Sequence, residues 1–351
     1  MSDSPEIAVV LGAYHRTDYL LKALGSLADQ TLPRDRFEVV AIKNFRHPEI
    51  DRALEAFGAT ILFDEEPQIG RWLRHAVNRS TAPIVTFLDD DDEFEPERLE
   101  RVAAVWRAHP DLGFYRNRVS VIDGAGRAVP AERWRVHETD AGFDLLGPVL
   151  VRADGKAGLV DLATRRTTST FNTSSMAIRR ELLHGELGDA FEGTQLEDSF
   201  LFLAGVLSPF AMFLDDRRLT RFRYYGGNVS STVRWLSQAA DSHRAMSALA
   251  ARRGNAEFAG FHAREEVHYT RMSLGATLIG RIRDGGARRE VARLTTEYLR
   301  FLGQHSQERT ASADVWAAGV YGLAYPVLPF VTRRIANSRP TSWRSAPSSG
   351  S

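Results

Sequence analysis

Two acidic clusters hold the residues of this chain best suited to chemistry. The first is FLDDDDEFEP, where Asp89, Asp90, Asp91 and Asp92 follow directly on an apolar run. The second is Glu197 and Asp198 in QLEDSFLFLAG. Aspartates in a row repel one another and are poor strand residues, so something must offset their cost. In an extended or turning backbone Asp89 and Asp91 point the same way, and two carboxylates on one side make a hard oxygen site for Mg²⁺ or Mn²⁺. The other reading of the run is a solvated loop whose Asp92 or Glu93 caps the next helix. An EF-hand lacks its glycine and final glutamate here, and Glu93 and Phe94 do not suit a phosphatase-type nucleophile. Glu197 and Asp198 read either as first-turn acids favoured by the helix dipole, or as a proton acceptor beside a carboxylate that raises its pKa.

The elements that must position these acids alternate in type. Residues 7–11 (IAVVL), 37–42 (FEVVAI), 60–63 (TILF) and 84–88 (IVTFL) read as buried strands. Between them Leu20, Leu21, Leu24 and Leu27, then residues 50–57, then Trp72, Leu73, Ala76 and Val77 within 70–78, recur at helical spacing. This alternation predicts an α/β fold, a mostly parallel sheet flanked by helices, which binds ligands at the carboxyl ends of its strands. The aspartates stand at one such end. Further on, the pattern predicts a helix over 96–109 with Pro96 in its first turn, a strand over 113–122 and a tight turn at DGAGR. It then predicts an irregular mobile loop over 130–165, a strand over 170–178, a helix over 196–207, a strand over 221–225 and a turn at GGNVSS. From about residue 232 the periodicity is wholly helical. The expected organisation is a first domain of residues 1–231, a helical region of 232–339 and a Pro/Ser-rich disordered tail of 340–351.

Composition bounds the function. The 351 residues are 43% hydrophobic and 26% charged, as in a soluble globular protein. Lys+Arg and Asp+Glu both number 45, so net charge points to no nucleic-acid partner. The absence of cysteine excludes disulfides, zinc–thiolate sites and thiol catalysis. That absence, with an N-terminus that reads as no signal peptide, fits the cytoplasm. Residues 251–300 carry ten Arg against six acids, and the apolar run 315–331 precedes Arg333 and Arg334. The run is at the lower limit for spanning a bilayer and is broken by Pro326 and Pro329. It reads as a docked helix, a dimer contact, or a segment (315–334) touching the inner face of a membrane with its arginines on lipid phosphates. His262, Glu265, Glu266 and His268 lack a helical metal spacing and read as a solvated face.

Several of these stretches together resemble one family. IAVVLGAYHRTDYLLKALGSLADQTLPRDRFEVV looks like the opening of family 2 glycosyltransferases of the GT-A fold. APIVTFLDDDDEFEPERL resembles that family's strand with its DxD motif. FNTSSMAIRRELL, QLEDSFLFLAG and FRYYGGNVSST resemble its later strand, its "ED" helix and its closing segment. The resemblance covers about residues 5–232 and implies an inverting, metal-dependent transfer of a sugar from a nucleotide-sugar donor to a glycan, lipid-linked or small-molecule acceptor, as in glycan biosynthesis. It implies that Asp91 binds Mg²⁺ or Mn²⁺ on the donor diphosphate, that Asp89 contacts the donor ribose or the metal shell, and that Asp90 fills the variable position. It makes Asp198 the catalytic base, preceded by Glu197, and Gly12, Ala13, Tyr14 and His15 the cradle of the nucleotide. Beside the resemblance, Arg71 and Arg74 on the helix before the aspartate strand read either as surface residues or as candidates for the donor phosphate, and Asn172, Thr173, Ser174 and Ser175, polar near a strand end, either as local turn hydrogen-bonders or as lining of the acceptor pocket.

Two positions depart from the family pattern. Lys43 and Asn44 stand where a pair of aspartates usually reads the base, which opens the choice of nucleotide and leaves Lys43 to a phosphate or base carbonyl. Tyr225 stands where a His often lies near the metal, and a phenol is a weaker ligand. Nucleotidyl transfer would favour a Gly-rich, basic loop after the first strand, and GAYHR matches that poorly. A dinucleotide oxidoreductase would need GxGxxG there. A non-catalytic sugar- or nucleotide-binding protein of the same fold is left open by Lys43 and Tyr225. The sequence does not fix the oligomeric state.

Overall fold

The computed structural model describes residues 4–130, 147–165, 170–225, 233–305 and 313–338. The turn expected at 226–231, the domain boundary at 231/232, the tail at 340–351 and much of the loop expected over 130–165 lie outside the described residues. The chain divides into two compact units, Met1–Gly226 with Leu249–Phe258, and Gly227–Ala248 with Ala259–Ser351.

The first unit begins with strands and helices in strict alternation. These are β1 (Ile7–Ala13), α1 (Leu20–Ala28), β2 (Phe37–Lys43), α2 (Pro48–Phe57), β3 (Thr60–Phe63), α3 (Ile69–Arg79) and β4 (Ile84–Asp89). β1, β2 and β4 are continuous apolar runs because helices cover both sheet faces, and nearly every residue of β1 is buried. The helices bury one stripe each: Trp72, Leu73, Ala76 and Val77 of α3 face inward as their spacing predicts. α2 starts at Pro48, with His47 as its cap, and ends at Gly58, whose φ of 79° suits glycine.

β5 (Glu93–Phe94), α4 (Arg98–Ala108), β6 (Leu112–Ile122), β7 (Val149–Val151), α5 (Gly158–Arg165), β8 (Met176–Arg179), α6 (Gly185–Glu192), α7 (Glu197–Leu207) and β9 (Ala211–Arg223) complete this unit. The strands form one mixed sheet in the order β3-β2-β1-β4-β8-β6-β9-β5, with β7 beside β9. β1 to β4 run parallel, while β8 lies antiparallel between β4 and β6. The chain steps outward from β1 to β3 and then returns to place β4 on the other side of β1. The crevice of this sheet therefore opens at the carboxyl ends of β1 and β4, where Gly12 lies opposite Asp89 and Ala13 opposite Lys43.

Four expectations need correction. The strand expected over 170–178 is β8 alone, because Thr173–Ser175 form a 3₁₀ turn closed by the Ser175 hydroxyl on the Asn172 carbonyl at 2.7 Å. The strand expected at 221–225 starts ten residues earlier at Ala211. Its charged centre hid it: Asp215 is buried, but Arg101 (2.7 Å) and Tyr115 (3.0 Å) bind its carboxylate. The irregular stretch over 130–165 contains β7 and α5. The helix expected from Pro96 begins at Arg98, which is wholly buried. Arg98 donates to Asn117 (3.0 Å), Thr86 (2.9 Å) and the Met176 carbonyl (3.3 Å), tying α4 to β6, β4 and β8. Burial without an anionic partner among these bonds pushes its pKa down to about 9.

The second unit is helical. α8 (Val233–Arg252) and α9 (Ala256–Arg283) begin it, each also lending a few residues to the first unit. α10 (Arg288–Gln304), α11 (Ala313–Ala324) and α12 (Pro329–Ser338) follow. The run 315–331 is thus two helices with a break between them, and among the described residues no helix is long and apolar enough to cross a membrane. α11 packs closely on α10 at Gly322, where a Cβ would collide with the Thr295 hydroxyl. His262, expected on a solvated face, is buried, with its Nδ1 2.9 Å from Nδ1 of His243 on α8.

Burial of this histidine pair predicts an acid-sensitive helical unit. Burial lowers the pKa of His243 well below 6.5, and that of His262 from 6.5 to about 3. The folded pair stays neutral while unfolded histidines take protons below pH 6.5, so its contribution holds above that pH and is lost as pH falls from 6.5 towards 3. Thermal midpoints measured across this range should fall less steeply for His262→Leu than for the native chain. An equal slope would show that the pair is not the acid-labile element.

Candidate functional site

β1 and β4 deliver their carboxyl ends side by side, and the residues that follow them meet in one acidic crevice. After β1 the chain turns through His15, which has φ 58°. A non-glycine residue in this region is strained and persists only when its surroundings fix it. Asn44 does so from the end of β2: its Oδ1 accepts the His15 backbone N–H at 2.8 Å, and its Nδ2 lies 2.9 Å from the His15 ring. Tyr14 packs its ring edge-on against Trp72, the residue that also crowds Gly12 at 3.0 Å from a would-be Cβ.

Arg16, the next residue, is the cation of the crevice. Its guanidinium grips the Asp90 carboxylate with Nε and Nη2, and its Nη1 meets Asp91 Oδ2 at 2.5 Å. The Tyr225 hydroxyl donates to the same Asp91 oxygen at 3.2 Å. Burial alone would lower the Arg16 pKa, but Asp91 and Asp90 outweigh it and hold the group charged. Sequence spacing gave no hint of Arg16 as a site residue. The signal was available in topology: parallel neighbours end together, so a basic residue just past β1 can reach acids just past β4.

The aspartates take separate partners. Asp92 accepts the Arg223 backbone N–H at 3.0 Å and the Asn172 side-chain amide at 2.7 Å. Wholly buried Arg223 also donates to the Asp91 carbonyl at 2.8 Å, pairs with Glu93 and stacks over Tyr19. The end of β9 thereby clamps the whole turn. Burial is the largest influence on these acids, with neighbouring carboxylates adding to it. It raises Asp89 well above the usual range and both Asp90 and Asp92 to about 7, although Arg16 opposes the shift at Asp90 and the Arg223 N–H at Asp92.

The 3₁₀ segment joins this cluster to the second. Asn172, with φ 69°, donates its backbone N–H to Asp198 Oδ2 at 3.1 Å while its side chain holds Asp92. Thr173 donates to Glu197 at 3.4 Å, and the Ser174 hydroxyl accepts the Asp89 N–H at 3.1 Å. All three residues are buried, so these side chains brace the acids rather than line an open surface. Glu197 and Asp198 sit half-buried at the start of α7. Burial and then Asp198 raise Glu197 to about 8. Burial also raises Asp198, but only to about 6, because the N–H groups of Ser199 and Asn172 and the charge of Arg116 favour its ionised form.

Two predicted residues stand apart from the acids. Lys43 is buried, bound to Asp51 of α2 at 2.7 Å and to the Phe45 carbonyl at 2.6 Å. Arg71 on α3 pairs with Glu66 at 3.1 Å and Glu192 at 3.9 Å. Among the described residues no group of three or more His, Cys, Asp or Glu converges as a ready-made metal site.

A mixed α/β sheet with this crevice at its switch point belongs to the GT-A class of folds. Residues 8–184 match the model of glycosyl transferase family 2, and the chain belongs to that family. Its structure is similar to that of S. aureus TarS residues 1–349 in complex with UDP-GlcNAc, at 16% identity and a TM-score of 0.55, over 94% of this chain and 90% of that one. The complex of the same fragment with UDP gives 14% identity and a TM-score of 0.53, over 96% and 88%. The mannosyltransferase PcManGT from Pyrobaculum calidifontis, in complex with GDP-Man and Mn²⁺, gives 16% identity and a TM-score of 0.50, over 91% and 87%. These likenesses establish the fold. A comparison with curated proteins found no match.

Asn172 is the joint between the clusters. Asn172→Ala removes a buried bond to Asp92 and keeps the strained backbone, so it should cost about 2 kcal/mol or more in urea unfolding. Asn172→Gly relieves the strain and should cost less; the reverse order would show that the backbone conformation is not under strain.

Proposed function

We propose that this protein is an inverting glycosyltransferase that moves a sugar from a nucleoside-diphosphate donor to an acceptor hydroxyl, with Asp198 as the base. The observation that supports this reading is the linkage of the two acid clusters through Asn172, whose backbone N–H meets Asp198 and whose side-chain amide meets Asp92. Their pKa values divide the labour at Glu197 and Asp198. At neutral pH Asp198, at about 6, is ionised and able to take a proton, while Glu197, at about 8, keeps its own and can donate a hydrogen bond to the acceptor. A base acting opposite the departing diphosphate gives inversion at the anomeric carbon.

The donor side rests on Asp89 and Asp91. They are hard oxygen donors, and the guanidinium seated on Asp91 acts as a stand-in that supports a cation position there. Mg²⁺ or Mn²⁺ bound by one or two carboxylates and by donor phosphates requires no larger cluster of protein ligands. When bound, such an ion offsets the charge of the departing diphosphate. Tyr225 would orient Asp91, and Gly12, Ala13, Tyr14 and His15 would line the nucleotide's side of the crevice. The related structures hold UDP-GlcNAc, UDP and GDP-Man with Mn²⁺, which supports a nucleoside-diphosphate donor without choosing its base. We assign Asn172, Thr173 and Ser174 to positioning the acids, Lys43 to bracing α2, and Asn44 to holding His15. Arg71, already paired with glutamates, would reach a phosphate only by leaving them.

Asp198→Asn should lower turnover, measured as nucleoside-diphosphate release with acceptor present, by about 10²–10⁴-fold. Donor binding in a thermal-shift panel of nucleoside diphosphates should persist in that variant. Native turnover should fall as pH drops through about 6, where Asp198 takes a proton. Turnover at the native level in Asp198→Asn would remove it as the base. Arg16 competes with a divalent ion for Asp91, so Arg16→Gln should bind Mn²⁺ more tightly in titrations followed by electron paramagnetic resonance. Unchanged affinity would exclude the competition.

A further inference from the structure

The helical unit leaves an apolar surface uncovered at one end. Val320 is 57% exposed, Leu323 62%, Val327 76% and Leu328 53%, along α11 and its connection to α12. The opposite side of α11 is buried: Ala318 lies in the core of this unit, and Gly319 and Gly322 abut Leu299 and Thr295 of α10. The exposed side chains are therefore surplus to the packing of the helix that carries them.

Basic residues border this surface. Tyr325, beside the exposed connection, donates its hydroxyl to the Gly286 carbonyl at 3.0 Å. Arg333 on α12 donates Nε to the Arg283 carbonyl at 2.6 Å. Both contacts reach the turn between α9 and α10, so that turn adjoins the connection and α12 alike. Exposed Arg281, Arg288 and Arg289 flank the turn, and exposed Arg333 and Arg334 extend from α12. Against these five arginines stand Asp284 and Glu290, and Glu290 is already paired with Arg281 at 3.0 Å.

We propose that this end of the helical unit docks on an anionic lipid bilayer, with Val320, Leu323, Val327 and Leu328 entering the interface and the arginines meeting lipid phosphates. Aliphatic groups beside a basic cluster supply the two signals that stable peripheral binding needs. Among the described residues no helix is long and apolar enough to cross a membrane. Charge selects this occupant over others. A second copy would cover the aliphatic groups, but the acids that this surface offers to the arginines are only Asp284 and an already paired Glu290. A nucleic acid would use the arginines and leave the aliphatic groups uncovered.

The inference goes beyond the proposed transfer reaction, and its test involves neither donor nor acceptor. The full chain is floated with phosphatidylcholine vesicles and with vesicles of phosphatidylcholine and phosphatidylglycerol. It should float with the anionic vesicles alone, and less so at high salt. Val327→Asp/Leu328→Asp should abolish flotation. Arg289→Gln/Arg334→Gln should weaken partitioning by about fivefold per arginine. These side chains are exposed, so circular dichroism and thermal midpoints should match the native chain and separate lost docking from lost folding. No flotation with anionic vesicles would overturn the proposal, as would flotation that survives both variants. A dimer split by Val327→Asp, or preferential binding to an oligonucleotide, without vesicle binding would likewise overturn it.

Discussion

The crowding of carboxylates at the end of β4 is the constraint around which the first unit is built. Two like charges about 4 Å apart repel by about 4 kcal/mol at an effective dielectric of about 20. A few such pairs left bare would rival the whole stability of a domain, about 5–15 kcal/mol. The protein offsets them one by one. Arg16 neutralises Asp90 and Asp91 from the end of β1, and Arg223 grips the turn at the Asp91 carbonyl, the Asp92 carboxylate and Glu93. Asn172 supplies a neutral donor to Asp92. Each compensating group arrives from a different element, so the acids can be held only after the sheet has formed.

That dependence explains features that otherwise look like separate irregularities. β9 runs for 13 residues and pairs with β6 through register shifts, and its far end brings Arg223 beneath the aspartate turn. The two described non-glycine residues with positive φ, His15 and Asn172, are both hydrogen-bonded within the crevice. At Asn172 the strained backbone lets one residue bond to two acids, Asp198 and Asp92. Beneath them Arg98 ties three strands through neutral oxygens, and losing it would leave buried acceptors without donors. Rigid support on all sides is what allows several carboxylates to hold different proton affinities within one small volume.

Much of this was legible in the sequence, and the limits are physical. The strands β1 to β4 announce themselves because a buried parallel strand is apolar throughout. The aspartates and Glu197–Asp198 are visible as residue types, and it was the resemblance to the family that suggested they belong together. β9 was only partly legible because its central charges are neutralised by tertiary partners that no local window contains. The segment Thr173–Ser175 read as extended because its hydroxyl-rich composition suits strands and turns alike. Arg16 and Arg223 were missed because an arginine's role depends on which carboxylate it meets, and that is decided by sheet topology rather than spacing.

Lys43 and Asn44 show how the departures from the family pattern fit the same logic. A lysine at the end of β2 suggests a hand extended to the donor, yet its charge is satisfied internally by Asp51. Its neighbour Asn44 turns instead to His15 and fixes the loop after β1 in a conformation that it would rarely adopt alone. A loop held in this way would not have to be ordered by a ligand bound beside it, so less binding energy would be lost to immobilising it. The polar pair is thus engaged within the fold, Lys43 with α2 and Asn44 with the turn after β1. It shapes the wall at the carboxyl ends of β1 and β2.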